Sequence, residues 1–244
     1  MDALEELRAR LAEARRVVVL TGAGVSVASG LPTYRGAAGS LYDDPAHLRD
    51  SFGSTLRRDP PGFWGRFVTR RALLRAASPN PGHSALAALE RRVPDLLLAT
   101  QNVDDLHRRA GSQRLVELHG NALVERCLDD ACGAAPWRSE SDDAGAGPPR
   151  CPRCGGVARP DVVFFGEGAD ERWDPVRAFA AAGPVDLVLL VGTIGVVESP
   201  AQLLDLARPA WTCEVNPGPA APDLAARLDA RVALPAEEAL PALV

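Results

Sequence analysis

The sequence contains no lysine: each of its 27 basic residues is an arginine. The chain therefore has no lysine side chain of its own that could be acylated. It also lacks any apolar run close to the roughly 18 residues that a membrane-spanning helix needs. Acidic residues outnumber basic ones, and the net charge of -5 argues against general binding to nucleic acid, which requires a basic surface.

The pattern of the first residues does not predict a signal peptide. The segment MDALEELRAR is acidic and amphipathic, whereas a signal peptide is basic and then apolar. We therefore expect a cytoplasmic protein. Apolar residues make up 46% of the 244 residues, which is enough to form the core of one large domain, or of a domain with a small module.

Cysteines are few, and four of the five occur as two close pairs, Cys127 with Cys132 and Cys151 with Cys154. In a cytoplasmic chain this spacing favours tetrahedral zinc over disulfides, because each tight turn presents two thiolates. Four sulfurs fill the coordination shell, so we expect one structural Zn²⁺ per chain, with free thiols as the alternative. Cys213, in the apolar segment TCEV, is expected to be a buried packing residue.

Short apolar segments alternate with helical patterns along the chain. Strands are predicted at residues 17–20, 95–100, 114–120, 185–193 and 212–216. This alternation predicts an α/β fold with a doubly wound, parallel, Rossmann-like sheet. We expect the sheet domain to be discontinuous, formed by residues 1–123 and 159–244, with a small zinc-binding module inserted at residues 124–158.

Polar motifs follow these strands at the ends where ligands bind in such sheets. In TGAG, after VVVL, Gly22 and Gly24 would let the backbone approach a phosphate, and a tight turn without a ligand is the alternative. A dehydrogenase would have a third glycine at residue 27, which is valine, so the spacing disfavours an oxidoreductase. The loop that follows carries Tyr34 and Arg35 and could fold over a bound cofactor.

The motif ELHG ends another predicted strand. His119 can act as a general base near neutral pH, and Gly120 permits a sharp turn after it. The loop TQNVDDLH adds polar groups from Gln101, Asn102 and Asp104 that packing does not require. A lone histidine could be structural, but the polar residues predicted to lie near His119 favour a functional role. The remaining histidines are expected to be surface or helix-capping residues: His47, His83 and His107.

Together these segments resemble the sirtuins, a family of NAD-dependent protein deacylases. The motifs occur in the family's order: GAGVSVASGLPTYRG, TQNVDDLH, ELHG, the four cysteines, RPDVVFFGE, GTIGVV and EVNP. They extend from residue 22 to residue 217, nearly the whole chain. The resemblance implies that NAD is consumed, nicotinamide is released, and the acyl group of a lysine in a peptide or protein is transferred to ADP-ribose.

The resemblance also implies roles for individual residues. His119 and Asn102 would be catalytic, His119 by taking a proton from a ribose hydroxyl. The implied NAD-binding residues are Gly22, Ala23, Gly24, Ser26, Tyr34, Arg35, Gln101, Asn102, Val103, Asp104, Gly192, Thr193, Ile194 and Asn216. Ile194 stands where the family usually has serine, so one hydrogen bond on the adenosine side would be missing.

The acyl-lysine substrate would lie as an added strand between VVFF (162–165) and GVVE (195–198), and plain sheet segments are the alternative. The implied contacts are Val163, Phe164, Gly195 and Val196. The chain is closest to the sirtuin branch that removes short acidic acyl groups, in which a tyrosine and an arginine three residues apart bind the acyl carboxylate. Arg70 occupies the arginine position, and Phe67 replaces the tyrosine, which removes a hydrogen bond of about 1 kcal/mol and equally favours an apolar acyl chain.

Three functions remain open from the sequence. A protein-lysine deacylase, with deacetylase and possible desuccinylase activity, is favoured by His119 and the predicted peptide edges. A mono-ADP-ribosyltransferase or NAD glycohydrolase would use the same NAD site. A zinc-stabilised module that binds NAD without reaction is the third. An NAD(P)-dependent oxidoreductase is a distant fourth function, which the glycine spacing disfavours.

Overall fold

The computed structural model describes residues 2–34, 40–138, 147–194, 199–207 and 210–244. Within these ranges lie nine strands in two sheets. In chain order they are β1 (Arg16–Thr21), β2 (Asp95–Thr100), β3 (Leu115–Glu117), β4 (Gly120–Cys127), β5 (Trp137–Arg138), β6 (Ala158–Val162), β7 (Leu187–Val191), β8 (Trp211–Val215) and β9 (Ala230–Val232).

The larger sheet is parallel throughout, with the strand order β3-β2-β1-β7-β8-β9. The chain builds outward from β1 through β2 and β3 on one side, and from β7 through β8 and β9 on the other. Thr21 is in register with Thr100 and Val191, so the three central strands end at the same level. The predicted doubly wound parallel sheet is confirmed, and its strand order reverses between β1 and β7, where ligands bind in such folds.

Helices cover this sheet and begin at local sequence signals. Asp2 and Glu5 form a capping box on the first helix, and Asn80 caps the helix that Pro81 begins. The α-helices are α1 (Ala3–Glu13), α2 (Pro45–Asp50), α3 (Gly53–Arg58), α4 (Pro60–Ala76), α5 (Pro81–Arg92), α6 (Leu106–Arg109), α7 (Asp174–Ala181), α8 (Ser199–Leu206), α9 (Pro222–Ala225) and α10 (Ala236–Ala239). In the described part of the chain, no helix is both long and apolar enough to cross a bilayer.

The core lies on both faces of the larger sheet, because successive side chains of a strand point to opposite faces. In β1, Val17 and Val19 join one apolar layer with α1 and α5. Val18 and Leu20 join the other layer, which contains residues of α7 and α8. Cys213 is fully buried in the first layer, as expected for a packing residue. The strand ends therefore stand on a rigid base.

The smaller sheet is antiparallel, with the order β5-β4-β6. It spans Gly120 to Val162 and so extends past the predicted module bounds of 124–158, which stay a prediction. Helices α3 and α4 pack on it through a cluster that includes Phe63, Trp64 and Phe164. The indole of Trp64 donates a hydrogen bond of 2.9 Å to the carbonyl oxygen of Ala158 in β6.

The sequence predicts one strand over residues 114–120, and the observed strand is shorter than this. Strand β3 ends at Glu117, and β4 of the smaller sheet begins at Gly120. Gly120 has a φ of +80°, a conformation that other residues adopt only with strain, and it redirects the chain from one sheet to the other. His119 therefore lies in the connection between the two sheets.

Candidate active site

His119 is held through one ring nitrogen and leaves the other available. Its Nδ1 lies 2.8 Å from the carbonyl oxygen of Gln101. Because a carbonyl oxygen only accepts, Nδ1 carries the proton, and Nε2 of the neutral ring has a free lone pair. Burial lowers the pKa of His119, an effect that the bond to Gln101 opposes and nearby Arg172 reinforces. The ring is therefore neutral near pH 7 and suited to accept a proton.

The backbone around His119 is fixed on both sides. The N–H of Val163 donates to the carbonyl oxygen of His119 at 2.9 Å. Next to it, a Cβ atom on Gly120 would lie 1.9 Å from the carbonyl oxygen of Asp161. Only glycine fits this crossing of β4 and β6, so the position of the imidazole depends on it.

We expect Gly120→Ala to destabilise the protein by about 3 kcal/mol, because it combines a backbone clash with a strained positive φ. Urea unfolding would measure the loss. The matched control is Gly65→Ala in α4, where a Cβ meets open space and alanine improves helix propensity by up to about 1 kcal/mol. Equal stability of the Gly120→Ala variant and the wild type would show that the crossing is not tight.

A buried polar cluster joins the loops after β1 and β2. The amide Nδ2 of Asn102 donates to the carbonyl oxygen of Gly22 and to Oγ of Ser26, both at 3.2 Å. Ser26 donates to Oδ2 of Asp104 at 2.9 Å, and burial raises the pKa of that carboxyl group. The structure thus brings together four of the residues that the resemblance implies for NAD binding.

A second chain of hydrogen bonds joins the loops after β2, β7 and β8. Thr193 donates from Oγ1 to Oε1 of Gln101 at 3.1 Å, and Asn216 donates from Nδ2 to the carbonyl oxygen of Thr193 at 2.9 Å. Ile194 follows Thr193 and is partly exposed. The predicted NAD-binding residues of these three loops therefore form one connected edge above the switch point.

The glycines of the first loop have a packing role that the sequence did not reveal. Gly24 donates its N–H to the carbonyl oxygen of Gly192 at 2.9 Å. A Cβ atom on Gly22 would lie 2.8 Å from that oxygen, and one on Gly24 would lie 2.7 Å from Cα of Gly192. Gly192 itself has a φ of +61°. These glycines allow two loops to touch, so phosphate binding is not needed to explain them.

Tyr34 lies beyond the polar cluster, and Arg35 is outside the described residues. The hydroxyl of Tyr34 donates to Oγ of Ser51 at 3.1 Å. Its ring makes edge contacts with His47 and Phe165, with centroid distances of 5.5 and 5.8 Å. His47 and Ser51 lie outside the recognised motifs, so the sequence does not predict these two contacts, whereas Phe165 belongs to the motif RPDVVFFGE.

The two predicted acyl-pocket residues differ in their surroundings. Phe67 is 6% exposed and stacks on Phe63 at a centroid distance of 5.3 Å, within the aromatic cluster. Arg70, one helical turn later, contacts the ring nitrogens of His47. Burial lowers the pKa of Arg70 to about 10. Among the described residues it forms no ion pair, since the nearby carboxylate of Asp50 is held by Arg66 at 2.7 and 2.8 Å.

The predicted peptide edge is only partly present. Strand β6 ends at Val162, so VVFF does not continue as a strand. The N–H of Val163 is bonded to His119, and that of Phe164 donates to Oε2 of Glu167 at 3.1 Å. These donors are used internally and cannot bind an added strand in this conformation. Gly195 and Val196 lie outside the described residues.

The four paired cysteines converge at one end of the smaller sheet. Their Sγ atoms all lie within 4.8 Å of one another, with Cys127 3.6 Å from Cys154 and Cys132 3.8 Å from Cys151. Sulfurs at the corners of a tetrahedron around zinc, each about 2.3 Å from the metal, are about 3.8 Å apart. The geometry fits Zn²⁺ with a closed shell of four thiolates, which leaves no position for a substrate.

Two histidines lie beneath the loops, and the prediction that His107 is a surface or capping residue is wrong. His107 is 2% exposed, and its Nε2 lies 2.9 Å from Oγ1 of Thr21, which donates to Thr100. His83 is fully buried beside it, with a ring-centroid distance of 4.8 Å. His83 does cap α5, accepting from the N–H of Asn80. His47 is also buried and is not a surface residue.

Burial lowers the pKa of His83 to about 4 and that of His107 to about 3. The unfolded chain therefore takes up these protons first, below pH 6.5, so stability is complete above that value and falls toward pH 4. At about pH 5 we expect each histidine to account for a loss of about 2 kcal/mol. Urea unfolding of the wild type, His83→Gln and His107→Gln at about pH 6.5 and at about pH 5 would test this. Parallel pH dependence in all three proteins would contradict it.

Comparison with known proteins identifies the family. The profile described as the Sir2 family matches residues 22–199, which is well over half of the chain. The chain belongs to the Sir2 family. The resemblance to sirtuins that the sequence motifs carry is therefore confirmed.

Sir2 relatives cover most of the chain. A protein of Thermus thermophilus named NAD-dependent protein deacylase is 50% identical over 229 residues, covering 90% of this chain and 86% of the relative. A protein of Pseudomonas aeruginosa named NAD-dependent protein deacylase 1 is 45% identical over 228 residues, covering 90% of this chain and 88% of the relative.

Solved Sir2 structures have the same fold. A Sir2 homolog in complex with NAD is 33% identical, with a TM-score of 0.85 over 98% of this chain and 91% of that one. A Sir2 protein with a deacetylated p53 peptide and 3'-O-acetyl ADP ribose is 27% identical, with a TM-score of 0.80 over 100% of this chain and 97% of that one. The roles assigned to single residues stay predictions.

Proposed function

We propose that this Sir2-family chain is an NAD-dependent protein-lysine deacylase that releases nicotinamide and transfers the acyl group to ADP-ribose. The names of the relatives and the ligands of the solved structures support this function. The observation that carries it is the anchored His119, at the edge where the loops after β1 and β2 meet: its Nδ1 is fixed to Gln101, and its Nε2 has no hydrogen-bond partner among the described residues.

The polar cluster supports cleavage of the bond between nicotinamide and ribose in the substrate NAD. As this bond breaks, positive charge develops on the ribose, and nearby carboxylate and amide dipoles stabilise it. Asn102, Ser26 and Asp104 hold one another in place, so they need no reorganisation when the charge develops. The buried setting excludes water that would otherwise hydrolyse the reactive ribose.

His119 supplies the base for the transfer that follows. The oxygen of the acyl-lysine amide attacks the ribose carbon, and a ribose hydroxyl must then lose its proton to attack the acyl carbon. A neutral imidazole accepts that proton efficiently near pH 7. The lowered pKa of His119 keeps the ring in this basic form.

Zinc has no part in these steps. The four cysteines would hold Zn²⁺ with a closed shell, which supplies folding energy to the smaller sheet. That sheet begins at Gly120, directly after His119, so the metal supports the catalytic residue indirectly.

The acyl group is a finer part of the proposal. Arg70 is a half-buried cation without a carboxylate partner among the described residues, and burying an unpaired charge is costly unless a ligand neutralises it. A short acyl chain with a terminal carboxylate would do so. We therefore propose desuccinylase activity in addition to deacetylase activity.

Nicotinamide release tests the proposed function. The protein is incubated with NAD, with and without an acetyl-lysine peptide, and nicotinamide and deacylated peptide are quantified by mass spectrometry. Because the chain contains no lysine, acyl-lysine signals come only from the peptide. We expect both products in equal amounts and only when both substrates are present. Nicotinamide release without peptide would identify an NAD glycohydrolase, ADP-ribose attached to protein a transferase, and no nicotinamide a binding module.

A further inference from the structure

A histidine and an arginine meet next to the proposed active site. Arg70 of α4 contacts the ring nitrogens of His47 from α2. The side chain of His47 is buried, and its ring is bordered by Tyr34 at a centroid distance of 5.5 Å. After this contact is made, the guanidinium still has N–H donors left over, and the imidazole has one. The pair therefore presents donors without an acceptor among the described residues.

The charged groups around His47 come from α4, from α2 and from the N-cap residue of α2. Arg70 belongs to α4, as does Arg66, which acts through its ion pair with Asp50. Asp50 is on α2, and Asp44 is the N-cap of that helix. Burial, followed by the charge of Arg70, lowers the pKa of His47 to about 4, while the two aspartates oppose this. Without a ligand, the ring is therefore neutral near pH 7.

This pair is connected to the proposed catalytic residue by a short segment. Val163 is bonded to the carbonyl oxygen of His119, and Phe165, two residues later, donates its N–H to the carbonyl oxygen of Ser51 at 2.9 Å. The ring of Phe165 contacts Tyr34. These contacts link the segment that holds His119 to Tyr34, whose ring borders His47.

We propose that His47 is a specificity-determining residue which, together with Arg70, binds the terminal carboxylate of a short acidic acyl group, and whose protonation strengthens this selection as the pH falls. The proposal rests on the proposed deacylase function. Phe67 cannot donate a hydrogen bond, and its ring is enclosed by Phe63 and Trp64. The imidazole N–H of His47 supplies a donor in its place.

The direction of the pH effect follows from the charges. A carboxylate beside His47 favours the charged imidazolium, so binding of an acidic acyl group raises the pKa of the ring. Binding then takes up a proton and becomes tighter once the pH falls below the pKa that the ring has in the complex, by up to about tenfold for each pH unit between that pKa and the free value. An acetyl group has no carboxylate and gives no such effect. Protonation of His119 lowers kcat/KM for both substrates by the same factor, so its effect cancels in the ratio of the two values.

The test compares kcat/KM for succinyl-lysine and acetyl-lysine peptides of the same sequence at about pH 8 and about pH 6. In the wild type we expect the succinyl-to-acetyl ratio to rise several-fold at the lower pH. His47→Leu removes the donor and should lower the ratio about tenfold at pH 8. His47→Gln keeps an N–H but takes up no proton, so its ratio should stay constant with pH. Arg57→Gln, at an exposed arginine of α3, is the matched control and should behave as the wild type.

Two results with the His47 variants would overturn the inference. One is a ratio that rises with falling pH in His47→Gln as it does in the wild type. The other is a parallel loss of both activities in His47→Leu with an unchanged ratio, which would indicate a structural role. A wild type that removes acetyl but not succinyl groups would refute the inference and leave the deacylase function standing, whereas a wild type that removes neither would refute both.

Discussion

Replacing His119 with alanine is expected to lower kcat/KM for deacylation by about 10²- to 10⁴-fold, the contribution of a positioned general base. The imidazole is anchored by a hydrogen bond to Gln101, and it lies in the connection between the two sheets. Its loss should therefore leave the loops of the NAD site intact. Steady-state kinetics with an acetyl-lysine peptide would measure the effect, and titration calorimetry with NAD would serve as the control. Activity within tenfold of the wild type, with normal NAD affinity, would remove His119 from the mechanism.

The pH dependence of the wild type offers an independent check of this role. The reaction needs the basic form of His119, so the rate falls as the pH falls through its pKa. Because burial lowers that pKa, the acid limb of kcat/KM for the acetyl substrate should have its midpoint below the ordinary histidine value. An acid limb above that value would show that another group titrates.

Removing one zinc ligand is expected to have the largest effect on stability. Cys151→Ala leaves three sulfurs, and zinc binding in small metal-stabilised modules is worth on the order of 10 kcal/mol of folding free energy. The smaller sheet should then lose its order. Because β4 starts directly after His119 and Arg138 of β5 binds Asp105 at 3.1 Å, deacylation should fall as well. Metal analysis, thermal unfolding and the peptide assay would record these losses together.

Cys213→Ala is the matched control for this experiment. Cys213 is as buried as Cys151 but lies in the core of the larger sheet, remote from the four-cysteine cluster. We expect this variant to keep one zinc per chain and to lose only about 1 kcal/mol of stability through a small cavity. A Cys151→Ala protein that retains full activity and a normal unfolding temperature would contradict a structural role for the metal.

Local patterns were sufficient to predict the layout of the fold. Apolar runs such as VVVL and LVLLV are long enough for buried strands, and polar motifs after them mark the strand ends. The spacing of the two cysteine pairs predicts that their four sulfurs lie together, because few arrangements other than a shared metal explain two such closely spaced pairs. The predicted end of the strand at residue 120 is wrong, because the turn at Gly120 depends on the crossing of β4 and β6, which the local pattern does not contain.

Contacts between distant segments determine the features of the fold and the site that the local sequence patterns do not predict. Gly22 and Gly24 were assigned to a phosphate site, yet their lack of a side chain is already required by contact with Gly192, about 170 residues later. His107 is predicted to be a surface or capping residue, but tertiary packing buries it against His83. The meeting of Arg70 and His47 likewise joins two helices that carry no shared motif.

The fate of the acyl group tests the central claim most directly. Wild-type protein is incubated with NAD and an acetyl-lysine peptide, and the acetyl group is followed by mass spectrometry. Deacylase chemistry predicts that each deacetylated peptide is accompanied by one nicotinamide and one O-acetyl-ADP-ribose. Recovery of the acetyl group as free acetate, with NAD intact, would contradict transfer to ADP-ribose and with it the proposed role of the NAD site.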